Sequence, residues 1–309
     1  MAVVSITLVD DYLSDCEIRG MAKDSIPRYR STLGIFQAFM VGRGSEIQEA
    51  DGQSLRDFIE YLRKERRTTQ KTIETYFSVL SSFYDFLAFE GVIDKNPVPP
   101  IRKRYLKRYK DNGPRHERQL ITVEDAGRLV RAALIVRDKA IIALLFKTGI
   151  RRGELVSLDV SDVDLIEGRL KLKPTAKRSN RVLFLDEEGM FLLKRWLRVR
   201  EGVNRRNSPA LFLSTWGYRI SRTDVYELVT QAAERAGLHD PTSPRMEDHF
   251  SPHCCRHWFT THLRRAGMAR EFIQELRGDS RREAIDIYDH IDEKELKDAY
   301  LAAIPRLRI

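Results

Sequence analysis

Between Asn96 and Arg118 the chain runs through Asn96-Pro97-Val98-Pro99-Pro100, a cluster of basic residues, and Asn112-Gly113-Pro114. Proline fixes φ, lacks a backbone donor and pushes the preceding residue out of the helical region, so this stretch reads as extended chain. Asn-Gly-Pro is a turn signal. No regular element is expected to cross it. The 309 residues, a length that suits about two domains, are therefore expected to form a domain over 1–97, a linker over 98–118 and a second domain over 119–309.

Charge marks the same division. Met1 to Pro100 carries 12 Lys/Arg and 15 Asp/Glu, and Gln119 to Ile309 carries 34 and 28. Arg102 to Arg118 carries 8 Lys/Arg against Asp111 and Glu117. This short segment holds as large an excess as the whole second domain. Two readings fit: a solvated charged loop, or a basic strap in which Lys103, Arg104, Lys107 and Arg108 contact a phosphate backbone. The net charge of +9 favours an anionic partner without specifying one.

The first hundred residues are expected to be helical. Ile73, Tyr76, Phe77, Leu80, Tyr84 and Leu87 recur at three- and four-residue spacing on a helix that begins near Thr69. Leu33, Phe36 and Phe39 mark another helix, and Leu55, Phe58 and Leu62 a third. These stripes are read as core. Lys64, Arg66, Arg67 and Lys71 cluster at the start of the long helix, where cations oppose the helix dipole. Solvation or a bound phosphate would favour them there.

The second part mixes elements. Thr122 followed by Glu124 and Asp125 is an N-cap with acids in the first turn. Asp138 to Thr148 reads as a buried helix ended by Gly149. Arg169–Lys173 and Arg181–Leu185 alternate like short strands, with Pro174 to Asn180 as their loop. Further helices are expected near 187–199, 222–236, 251–267 and 270–276, with another ending near Tyr288 and an amphipathic tail over 293–304. The fold class is thus mainly α with a small β-sheet.

Several function classes lack their signatures. No apolar run is long enough to span a membrane, and Met1 to Leu8 has no basic start followed by a long apolar core. Three cysteines, Cys16, Cys254 and Cys255, are odd in number and include no Cys-x-x-Cys pair, which points to a reducing, cytoplasmic setting. There is no phosphate-binding Gly-x-x-x-x-Gly-Lys loop and no Gly-x-Ser-x-Gly elbow. Arg277-Gly278-Asp279 resembles an adhesion tripeptide, but nothing suggests secretion. His253 and His257 would share a helix face, yet the Glu of a His-Glu-x-x-His metal site is missing, so no metal and no cofactor is expected.

His253 and Arg256 also share a face, and such a pair can grip one phosphate. Arg151 follows a buried helix and a glycine, where it would be held rigidly. The segment Thr148-Gly149-Ile150-Arg151-Arg152-Gly153-Glu154-Leu155 resembles the first arginine box of the tyrosine recombinases, or phage integrases, including the Xer type. Ser251-Pro252-His253-Cys254-Cys255-Arg256-His257, with Thr260 to Leu263 after it, resembles their His-x-x-Arg box. Leu276-Arg277-Gly278-Asp279-Ser280, with Tyr288 nine positions after Asp279, resembles the third box and nucleophile segment. The likeness covers Gln119 to Ala303 well, and the first domain and linker by architecture only.

The resemblance implies a two-domain clamp on double-stranded DNA: a helical, SAM-like core-binding domain and an α+β catalytic domain. It implies site-specific recombination by strand cleavage and rejoining, in a homotetramer on paired sites, with an accessory DNA-bending protein as an optional partner and a nucleoid-associated location. Arg151 and Arg256 would bind the scissile phosphate, His253 would donate a hydrogen bond or accept a proton, and Tyr288 would attack phosphorus. The lysine of the hairpin loop would be Lys177, with Lys173 as the alternative. Glu154 would brace the site from behind. Asp279 stands where the family has histidine or tryptophan, and is expected to buttress an arginine or position Tyr288. A catalytically inactive DNA-binding relative and a type IB topoisomerase are the alternatives. The Arg-His-Arg-Tyr set disfavours the first; the length, boxes and tail disfavour the second. Leu296, Ala299, Tyr300, Ala303 and Ile304 form one apolar face of the tail, which needs a surface to bury against: the chain's own second domain, or, as the resemblance implies, a neighbouring protomer.

Overall fold

The computed structural model describes residues 2–106, 120–174, 181–279 and 291–309. The chain divides into two compact units, Met1–Gly113 and Pro114–Ile309. The first contains helices α1 (Ala2–Ile18), α2 (Ile26–Val41), α3 (Gly52–Lys64) and α4 (Gln70–Phe89), then the short α5 (Val98–Ile101). Thr69 caps α4, its hydroxyl accepting from the Thr72 N–H, and Asp51 caps α3 in a capping box. The aromatic stripes meet in one core: Phe36 and Phe58 pack edge to face with ring centroids 4.8 Å apart, and Tyr84 is buried with its hydroxyl on the Ile47 carbonyl.

The extended chain expected after Pro97 is corrected by the structure. Val98–Ile101 is helical and runs into a π turn over Arg102–Leu106. The prolines lie in the first turn, where no backbone donor is needed. Val98, Ile101 and Leu106 are buried in the first unit's core, and this packing outweighs the preference for extended chain.

In the second unit, α6 (Val123–Ala132), α7 (Val136–Thr148) and α8 (Arg152–Ser157) precede a sheet of β1 (Val163–Asp164), β2 (Arg169–Leu172) and β3 (Arg181–Phe184). The strands form an antiparallel meander in the order β1-β2-β3, pairing Leu170 with Leu183 and Leu172 with Arg181. β1 was not expected; two residues are too few to show an alternation. Helices α9 (Glu187–Val203), α10 (Arg222–Arg235), α11 (Pro252–Arg265), α12 (Arg270–Arg277) and α13 (Glu293–Ala303) complete the described elements. The helix expected to end near Tyr288 lies outside the described residues. α7 is buried on all sides from Ala140 to Thr148, as an all-round apolar helix must be. It packs against α9, α11, α6 and α10.

One cation interrupts that buried stretch. Lys147 is fully buried, and its ammonium reaches Asp186, Glu188 Oε2 at 2.6 Å and the Pro305 carbonyl at 2.7 Å. Three donors meet three acceptors, which is what a buried ammonium requires. Of the two surfaces open to the tail, the single chain uses its own second unit. Leu296, Tyr300, Ala303 and Ile304 are buried in their own unit's core, and the Tyr300 hydroxyl donates to the Lys147 carbonyl at 2.8 Å. Glu188 accepts from the N–H groups of Leu307 and Arg308 at 2.7 and 2.6 Å. The apolar face finds its partner within the same chain because this ionic cluster anchors the segment that follows it.

Lys147→Met should leave the buried Asp186 and the half-buried Glu188 without their counter-charge and cost about 3–5 kcal/mol. Urea unfolding measures it; a loss below about 1 kcal/mol would show that the cluster does not hold the tail.

Candidate active site

The candidate site gathers where four elements of the second unit end or begin. α7 stops at Gly149, whose φ of +58° is left-handed. A Cβ there would lie 2.5 Å from Phe259 Cδ1 of α11. Both backbone and packing therefore demand glycine, and the turn is pressed onto α11. Arg151 follows at the N-cap position of α8, and its N–H donates to Glu154 Oε2 at 2.9 Å. Its guanidinium donates to the Arg277 carbonyl at 2.9 Å and to Asp279 Oδ1 at 3.1 Å.

Arg256 comes from the buried side of α11. It donates to the Gly149 carbonyl at 2.6 Å, to the Arg277 carbonyl at 2.8 Å and to Asp279 Oδ1 at 3.2 Å. Two guanidinium groups thus converge on one anionic oxygen and on one carbonyl. The carbonyl belongs to the last turn of α12, the negative end of its dipole. Burial first, then repulsion from Arg151 and Arg277, pulls the Arg256 guanidinium down to about 9, against the pull of Asp279 and Glu154. It remains a cation at neutral pH, at a cost that a second anion would relieve.

His253 is the second residue of α11 and is exposed, its ring set edge to face against His257 with centroids 4.9 Å apart. It stands in the first turn of α11, the positive end of that helix's dipole. Among the described residues no three His, Cys, Asp or Glu side chains form a metal-holding group. Cys254 and Cys255 are buried, and burial pushes the Cys255 thiol up.

Two carboxylates organise the arginines. Asp279 Oδ1 takes both Arg151 and Arg256, and Oδ2 lies 3.0 Å from Arg277 Nε. Glu154 takes the guanidinium of Arg181 on both oxygens, at 3.1 and 3.1 Å. Four guanidiniums against two carboxylates leave this knot doubly positive. Sequence reasoning missed Arg181. Its signal was available: by strand alternation it shares a face with Leu183, and an arginine on a buried face needs a buried acid.

The remaining sequence-derived residues divide. Lys173 pairs with Asp159 and lies 3.6 Å from Asp162, and the hydrogen bond to Asp159 raises its pKa, which weakens it as a proton donor. Lys177, Tyr288, Lys107 and Arg108 lie outside the described residues. In the first unit, Lys64, Arg66, Arg67 and Lys71 are exposed. Lys64 pairs with Glu60 at 2.7 Å, and Arg67 turns the chain with a φ of +48°. Lys71, Glu74, Thr75 and Ser78 of α4 line one groove of about 430 Å³ with Arg102 and Lys103; Glu74 lies 3.7 Å from Lys71, and Arg102 donates to the Ser78 hydroxyl at 3.0 Å. Two basic stretches far apart in sequence are thereby brought onto one surface, and Arg104 is exposed beside them. No described helix is long and apolar enough to cross a membrane.

Comparison with known proteins gives consistent matches. The profile described as "Phage integrase family" matches residues 119–295, and that of "Phage integrase, N-terminal SAM-like domain" matches residues 9–91. Tyrosine recombinase XerC of Vibrio vulnificus strain YJ016 is 31% identical over 246 residues, which cover 77% of this chain and 71% of the relative. The integrase of transposon Tn1549, solved with transposon right-end DNA, superposes with a TM-score of 0.69 at 20% identity, over 94% of this chain and 97% of that one. Lambda integrase, solved as a tetramer bound to a Holliday junction, gives 0.66 at 17% identity, over 93% and 79%. At these identities the structural likeness speaks for the fold.

Burial would raise the Glu154 carboxyl, but the Arg181 hydrogen bonds and charge, with the Arg151 N–H, hold it below the usual range. A carboxylate depressed in the folded state stabilises above its unfolded value, about 4.3, and that stability is lost as pH falls through the folded value. Unfolding midpoints should therefore drop as the medium is acidified below about pH 4.3. Glu154→Gln should be weaker at pH 7 and show a shallower acid limb. Parallel pH curves for the two proteins would remove Glu154 from the acid response.

Proposed function

The chain belongs to the phage integrase family and is a tyrosine recombinase of the Xer type, and from that premise we propose that it cuts and rejoins duplex DNA at defined sites through a 3′-phosphotyrosine on Tyr288. The observation that carries this reading is the convergence of Arg151 and Arg256 on one oxygen, at 3.1 and 3.2 Å. Two guanidiniums able to share one carboxylate oxygen can share a nonbridging phosphate oxygen placed beside it.

A phosphodiester resists attack because it is already anionic. Charge grows on its nonbridging oxygens as a fifth ligand approaches, and preorganised cations offset it by several kcal/mol. The Tyr288 hydroxyl forms a bond to phosphorus and the bond to the 5′ oxygen breaks. An unperturbed tyrosine titrates near 10, so attack at neutral pH calls for the site's cations to favour the phenolate, with His253 as hydrogen-bond donor or proton acceptor. Lys177 protonates the departing 5′ oxygen; the ion pair of Lys173 with Asp159 supports this choice. A 5′ hydroxyl from the partner strand then reverses the step. The phosphotyrosine retains the bond energy, so no nucleotide is consumed. Asp279 acts from behind, holding both arginines rather than meeting the phosphate.

The basic groove of Lys71, Arg102 and Lys103, with Lys64, Arg66, Arg67, Arg104, Lys107 and Arg108, is read as a contact to the DNA backbone. Paired sites would be joined in a homotetramer, as the lambda integrase tetramer on a Holliday junction suggests. The division into a core-binding domain over 1–97, a linker over 98–118 and a catalytic domain over 119–309 belongs to the same reading. So do a nucleoid-associated location and an accessory DNA-bending protein.

Mapping covalent protein–DNA junctions across the genome would locate the target. On a nicked duplex carrying that site, Tyr288→Phe should bind as the wild type does and give no covalent band on a denaturing gel. An adduct that persists in this variant would move the nucleophile elsewhere. Alanine at Lys103, Arg104, Lys107 and Arg108 should weaken binding to all sequences alike. The log–log salt slope should flatten by about 0.9 for each phosphate that is no longer neutralised. An unchanged slope would assign these residues to solvent.

A further inference from the structure

One buried cation of the site has no task in the mechanism above. Arg181 opens β3, and its side chain is 5% exposed. Its guanidinium takes both oxygens of Glu154 at 3.1 and 3.1 Å, and Nε donates to the Leu276 carbonyl at 3.1 Å. Glu154 in turn accepts the Arg151 N–H at 2.9 Å. A Cβ on Gly278 would collide with the Arg181 guanidinium, and Gly278 has a φ of +60°. The turn after α12 is therefore shaped around this side chain. Gly278 sits between Arg277, whose carbonyl receives Arg151 and Arg256, and Asp279, whose Oδ1 receives the same two.

A shift of Arg181 would therefore move the acceptors of both phosphate-facing arginines together. Stability alone does not account for it: a buried ion pair is often matched or exceeded by apolar residues of the same volume. What the pair supplies is orientation, since a planar fork on a carboxylate fixes both partners where a lysine cannot.

We propose that Arg181 is a positioning residue for strand cleavage, holding Glu154 and the Leu276–Asp279 turn in the places from which they aim Arg151 and Arg256 at the scissile phosphate. The proposal rests on the functional reading above. Arg181 meets no reacting atom itself; it acts through Glu154, Arg277 and Asp279.

The test uses the full chain and the mapped site on a nicked duplex, in two forms: the ordinary phosphodiester, and a methylphosphonate at the scissile position. The methylphosphonate removes the charge of one nonbridging oxygen, and with it most of the need for two well-aimed guanidiniums. Equilibrium DNA binding and single-turnover adduct formation are measured for wild type, Arg181→Lys, Arg181→Met and Gly278→Ala. On the phosphodiester, Arg181→Met should slow adduct formation about 100-fold, the scale of a misplacement near 1 Å, while binding changes by less than about threefold. Arg181→Lys should fall between, and Gly278→Ala, which crowds the guanidinium and also strains a turn at φ +60°, should be at least as slow as Arg181→Met. On the methylphosphonate the gap to wild type should shrink to less than about tenfold, because the aimed charge matters less there. Should Arg181→Met not fold, Arg181→Lys carries the same comparison. A gap of equal size on both substrates, or binding that falls in step with cleavage, overturns the proposal and leaves Arg181 a fold residue. A wild type that forms no adduct on either substrate overturns the functional reading as well, and its own failure tells the two apart.

Discussion

The second unit is organised around a guanidinium that water does not reach. Arg256 is 4% exposed on its side chain, and a buried cation is tolerated only where hydrogen bonds replace its hydration. The replacements are the Gly149 carbonyl, the Arg277 carbonyl and Asp279. They come from two distant parts of the chain: the end of α7, and the end of α12 with the turn after it. Satisfying one charge therefore fixes two segments relative to α11. Arg151, set on the loop between α7 and α8, is fixed by the same acceptors, and so the two arginines hold their mutual geometry before any substrate arrives.

A second ionic cluster stands one turn earlier on α7. Lys147 gathers Asp186, Glu188 and the Pro305 carbonyl, and Tyr300 returns a hydrogen bond to the Lys147 carbonyl. The segment after α13 is thus tied to the helix that delivers Gly149 and Arg151. α7 is apolar and closely packed, so displacement at one end has little room to dissipate before the other. The seating of the tail and the placing of Arg151 share one rigid element.

The aspartate at residue 279 has a local explanation. Four guanidiniums crowd this corner, and an aspartate facing them lowers their mutual repulsion while offering two oxygens to three of them. A carboxylate beside a phosphate would be repelled in isolation; among four arginines the knot keeps a positive balance.

Helices were legible because their apolar residues repeat at helical spacing, as in Ile73, Phe77, Leu80 and Tyr84, and their starts because Thr69 and Thr122 are efficient caps. The boxes around Arg151 and His253–Arg256 were legible because their chemistry is local. What sequence could not decide lies in contacts between distant segments. Arg181 meets Glu154 27 positions away, the prolines after Asn96 fold into a helix because Val98 and Ile101 have a core to enter, and the tail lies on its own unit because Lys147 and Glu188 wait for it. The sequence determined which residues are cations, acids, caps and glycines. Only the tertiary structure decided which cation meets which acid, because a buried charge selects its partner by geometry in space and not by distance along the chain.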